Sequence, residues 1–77
     1  MKMIADIITI SAEIQSGTPV FSKTRVPIKI LFDYLKNGDT IEEFLNDFPS
    51  VQKEQVLSLI NLMQAYLTFN TYEENLA

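Results

Sequence analysis

Apolar residues recur along this chain in two rhythms. Ile7-Ile8-Thr9-Ile10 is short and rich in β-branched residues, the pattern of a strand. Val20-Phe21 supplies it with a pairing partner, or the strand of a second subunit does, since an open strand edge invites dimerisation. Ser16-Gly17-Thr18-Pro19 reads as the turn between the two extended pieces. From Ile28 the period lengthens. Ile28, Leu31, Phe32 and Leu35 fall at i, i+3, i+4 and i+7, with Ile30 and Tyr34 widening the stripe. This predicts a first helix that begins near Pro27 and stops at Asn37-Gly38. Ile41, Phe44, Leu45 and Phe48 repeat the spacing in a short second helix, closed by Pro49. Asp39 or Thr40 caps it, with Glu42 or Glu43 three residues on.

Ser50 is expected to cap a third helix running from about Val51 to Thr68 or beyond. Its main stripe is Val56, Leu59, Ile60, Met63, Tyr66 and Leu67. Its first turns are otherwise polar, and its later turns add Leu62, Ala65 and Phe69 on other faces. A helix apolar on extra faces has a second neighbour, and in so short a chain that neighbour is another chain. Tyr66, Phe69 and Tyr72 recur every third residue, and Tyr suits interfaces because one end tolerates water. Leu62, Tyr66, Phe69 and Tyr72 are therefore the candidate partner-binding residues.

The expected fold class is mainly α: a short N-terminal β-strand and arm, then a three-helix helix-turn-helix bundle, with the strand pairing in a dimer. Residues 1–77 form a single domain, divided into an extended strand and basic arm (1–26), the bundle (27–69) and a tail (70–77). No stretch approaches the ~20 apolar residues of a membrane span. Met1 to Ile10 contains Asp6 and lacks the pattern of a secretory leader, so a cytoplasmic protein is expected.

Composition narrows the chemistry. A chain of 77 residues buries only about 60% of its unfolded surface and is marginal unless something is added. Cysteine and histidine are both absent, which removes disulfides, the usual metal cages, the commonest general base and the best nucleophile. Glu42-Glu43 is favourable charge at a helix start, and adjacent helical residues point about 100° apart rather than converging. Two glycines cannot build a phosphate-binding loop. No enzyme, metal or cofactor is expected, and association is the remaining source of stability.

The net charge of −4 is unevenly spread. Lys23, Arg25, Lys29 and Lys36 face only Asp33 between residues 18 and 36, whereas Asp39 to Asp47 holds acids alone. Thr24 and Arg25 next to Pro27 suit a local role in fixing the start of the first helix. Lys23 and Lys29 are better candidates for phosphate contact. Two short helices followed by a longer one with a polar first turn fit a helix-turn-helix, in which the second helix of the pair presents its N-terminal residues to base edges. Those residues are Ser50, Gln52, Lys53 and Gln55; glutamine can pair with adenine, and lysine with guanine or phosphate. Double-stranded DNA is thus one candidate partner.

The ordered set Gly17-x-Pro19-Val20, Thr24-Arg25-Val26-Pro27-Ile28, Asn37-Gly38-Asp39-Thr40-Ile41-Glu42-Glu43 and Phe48-Pro49-Ser50-Val51 resembles the DUF433 family of small bacterial and archaeal proteins, over about residues 7 to 68. Ser16 and Lys23 stand where that family usually has glycine, and Phe48 where it has tyrosine. The resemblance implies a helix-turn-helix antitoxin that binds operator DNA as a homodimer and neutralises a PIN-like nuclease toxin through its C-terminal helix. The alternative is a protein-interaction module that retains the helix-turn-helix only as a scaffold.

Overall fold

A computed structural model describes the backbone of residues 4–76 and the surroundings of the side chains of residues 6–69. The order is α1 (Ile4–Ile7), β1 (Ile8–Thr9), a 3-10 turn (Gln15–Gly17), β2 (Val20–Phe21), α2 (Ile28–Lys36), α3 (Ile41–Asp47) and α4 (Lys53–Leu76). The molecule is mainly helical, with a short N-terminal two-stranded hairpin ahead of three longer helices.

The β-branched run divides differently from its sequence pattern. Ile7 ends the one-turn helix α1 and is buried, β1 is confined to Ile8-Thr9, and Ile10 lies 68% exposed beyond it. β1 pairs antiparallel with β2 in the same chain, Ile8 opposite Phe21 and Thr9 opposite Val20. The far side of β2 is occupied too: Phe21 N–H donates to Val26 O at 3.0 Å, and Ile28 N–H to Pro19 O at 3.0 Å. The link between the strands is tight, with Gln15, Ser16 and Gly17 all at positive φ (50°, 55° and 88°). Lys23, in the turn after β2, also holds a left-handed φ of 63°. Thr24 fixes that turn, its hydroxyl donating to Phe21 O (2.8 Å) and accepting Val26 N–H (3.0 Å).

α2 begins directly after Pro27, whose φ of −62° suits a helix entrance. It ends in a Schellman motif: Gly38 N–H reaches Leu35 O (3.1 Å) and Asp39 N–H reaches Tyr34 O (2.9 Å), with Gly38 at φ 89°. Thr40, rather than Asp39, caps α3, its hydroxyl accepting Glu43 N–H at 3.1 Å while Glu43 Oε1 accepts Thr40 N–H at 3.0 Å. α4 starts at Lys53, later than the expected Val51, and Ser50 is not its cap. Pro49 and Ser50 form a turn followed by a bend at Val51, and Gln52 N–H donates to Gln55 Oε1 at 3.0 Å, leaving Gln52 at the capping position.

One core joins these elements. Ile7, Phe21, Ile28, Leu31, Phe44, Val51, Val56 and Leu59 are buried together. Phe44 is its hub, with ring centroids 5.9 Å from Phe21, 5.5 Å from Tyr34 and 5.2 Å from Phe48. The tilted and edge-on ring geometries bind β2, α2 and α3 to one another. Among the described residues α4 closes the core with the buried Val56 and Leu59, and Ile60 packs against it.

Candidate interaction surface

The main stripe of α4 changes environment along its length. Val56 and Leu59 are buried and Ile60 is half-buried. Met63, Tyr66 and Leu67 continue the same face but are 37%, 67% and 57% exposed, and Phe69 beside them is 62% exposed. At ~1.5 Å rise per residue α4 is about 36 Å long, and the core ends before the helix does. The stripe is therefore core for its first two turns and open surface afterwards, Tyr66 included.

Met63 and Leu67, one turn apart, stand as a ridge between two shallow grooves. One groove, of about 340 Å³, is lined by Ile8, Leu59, Leu62, Met63, Tyr66 and Leu67. The other, of about 510 Å³, lies against α2 and is lined by Phe32, Leu35, Ile60, Met63, Gln64, Leu67 and Thr68. Of the four candidate partner-binding residues, Leu62 lines the first groove half-buried, and Tyr66 and Phe69 project from the helix. Tyr72 lies outside the residues whose side chains are described. Met63 and Leu67 belong with them. The run without charge from Gln55 to Tyr72 was the signal that could have placed them there.

Two of the candidate DNA-binding lysines, Lys29 and Lys53, are paired with carboxylates. Lys29 Nζ is 2.7 Å from Asp33 Oδ2, with Lys36 Nζ 3.7 Å from the other oxygen of the same carboxylate. The hydrogen bond from Lys29, aided by both lysine charges, holds the Asp33 carboxyl below its usual value. Lys53 Nζ is 3.3 Å from Glu42 Oε2. Gln55 is half-buried, with its amide engaged at both ends: Nε2 donates to Ser22 O at 3.0 Å, and Oε1 accepts Gln52 N–H. Ser50, Gln52 and Lys23 are exposed. The Gln55–Ser22 bond ties the Lys23 turn to the start of α4, so those two segments are neighbours although 33 residues separate the bonded pair.

On α2 and α3, Tyr34 O–H donates to Asp47 Oδ2 at 2.5 Å. That bond, with burial and the nearby carboxylates, raises the phenol above its usual value. Among the described residues no group of three or more acidic, cysteine or histidine side chains is placed to hold a metal ion. No helix among them is long and apolar enough to cross a membrane.

No curated protein and no solved structure matches the chain. Residues 8–61, from β1 through the buried turns of α4, match the family model DUF433, described as a protein of unknown function, and the chain belongs to that family.

Proposed function

We propose that this protein is an antitoxin-type interaction module, docking onto a PIN-like nuclease through the distal half of α4, with the hairpin, α2 and α3 as the scaffold that holds the helix. The supporting observation is the exposure of Tyr66, Leu67 and Phe69 on a helix whose earlier turns are anchored in the core. Large aromatic and aliphatic side chains around a groove are the anchors that dominate protein–protein affinity. Co-expression with the product of the adjoining reading frame tests the reading. The expected result is a stable complex with the nuclease held inactive, released by Tyr66→Lys or Phe69→Lys. A complex indifferent to both substitutions refutes it.

Operator binding is the second reading. What favours it is the Gln55–Ser22 bond, which joins the turn that holds Lys23 to the start of α4. What opposes it is the pairing of Lys29, Lys36 and Lys53 with carboxylates and the net charge of −4. Gel shifts on the gene's own upstream DNA at low salt separate the two. The scaffold reading expects no sequence-specific retardation. Retardation abolished by Lys53→Glu establishes the DNA reading, with a salt slope of about −2 to −4 per subunit.

A further inference from the structure

We propose that, in the absence of any other partner, a second copy of this chain covers the distal face of α4, the two helices crossing antiparallel about a two-fold axis near Met63 and Leu67. A two-fold interface requires a self-complementary surface, because one patch meets its own copy. A ridge one turn long with a groove on each side meets that need: the Met63–Leu67 ridge of either copy enters a groove of the other, as i±4 ridges do in packed helices.

The area is sufficient. Tyr66 and Phe69 leave about two thirds of side chains of ~150–250 Å² uncovered, roughly 250 Å² for the pair. Leu62, Met63 and Leu67 bring the patch to about 400–500 Å². A standard interface takes ~800 Å² from each partner, about 65% of it apolar in homodimers, or roughly 500 Å². The charge pattern agrees. From Gln55 to Tyr72 the sequence holds no Asp, Glu, Lys or Arg, so nothing on this face repels an identical one or selects a charged partner.

The direction follows from the core. α1, α2 and the hairpin stand in front of the first turns of the stripe, leaving only its far half accessible. A parallel copy drives globule against globule. An antiparallel copy sets the globules at opposite ends and aligns the helix dipoles favourably. This interface is distinct from strand-edge pairing, and β1 is two residues long and already joined to β2. It does not depend on the nuclease reading, because it concerns the chain alone; where that reading holds, the nuclease competes with the second copy.

Sedimentation equilibrium of the isolated full chain from micromolar to millimolar concentration is the test. The expected mass is twice 8.8 kDa. Leu67→Lys, at a position more than half exposed in the monomer, should weaken association at least tenfold while leaving the helical circular dichroism intact. Ile10→Lys, at the end of β1, should leave the dimer unchanged. A wild-type chain that stays monomeric throughout overturns the proposal. So does a dimer that survives Leu67→Lys but dissociates with Ile10→Lys.

Discussion

Replacing Gln55 with alanine separates a structural glutamine from a base-reading one. In the folded chain its amide makes two bonds of 3.0 Å, one to Ser22 O and one from Gln52 N–H. Each net bond contributes about 0.5–1.5 kcal/mol, and Ser22 is only 7% exposed, so water poorly replaces the lost donor. Gln55→Ala should therefore cost about 2 kcal/mol. For a domain of this size that lowers Tm by roughly 8–16 °C. Gln55→Glu sharpens the test. Its carboxylate still accepts Gln52 N–H but cannot donate to Ser22 O, and it sets negative charge against a carbonyl, so it should be at least as damaging as alanine. Thermal melts followed by circular dichroism measure both variants. A Gln55→Ala chain that melts within a degree or two of wild type refutes the reasoning. If that chain also loses retention of its upstream DNA, Gln55 acts at the base edges.

Three further outcomes rest on the same geometry. Lys23→Gly should raise stability by about 0.5–1 kcal/mol in urea unfolding, because relief of a left-handed φ is worth ~1–2 kcal/mol and the more flexible unfolded chain returns part of it. Phe44→Ala removes the fully buried hub of four aromatic rings and should cost about 3–5 kcal/mol, leaving a chain this small largely unfolded by near-ultraviolet circular dichroism at 25 °C. Tyr34 should ionise at higher pH than an ordinary tyrosine, because its bond to Asp47 requires the phenolic proton. With the folded value raised, this contribution is complete below pH ~10 and is lost as pH climbs through the folded value. Tyrosinate absorbance of wild type against Tyr34→Phe measures it, and a Tyr34 that titrates at the ordinary value contradicts the bond.

The turn between β2 and α2 carries a local strain at Lys23. Lys23 holds a φ of 63°, a backbone conformation that glycine adopts without strain. Ser16 likewise lies at φ 55°, between two further positive-φ residues. Both side chains are exposed, so the strain stays in the backbone and displaces nothing in the core.

The sequence by itself determined α2, α3 and the places where they end. Pro27, the i, i+3, i+4 stripe and Gly38 act within a few residues, and chain-local geometry decides such features wherever they occur; of the two capping frames the sequence offered for α3, the structure takes Thr40–Glu43. The sequence also predicted that α4 would leave apolar surface for a partner. Tertiary structure alone decided where that surface begins, because periodicity gives the direction of a face and not whether anything stands before it. Met63 and Leu67 share a stripe with Val56 and Leu59, and only the extent of the core separates buried from open. The same holds for the pairing of β1 with β2, the shift of Ile7 from strand to helix, and the capture of Gln55 by Ser22. Each depends on partners distant along the chain, and no window of local sequence contains both sides of the contact.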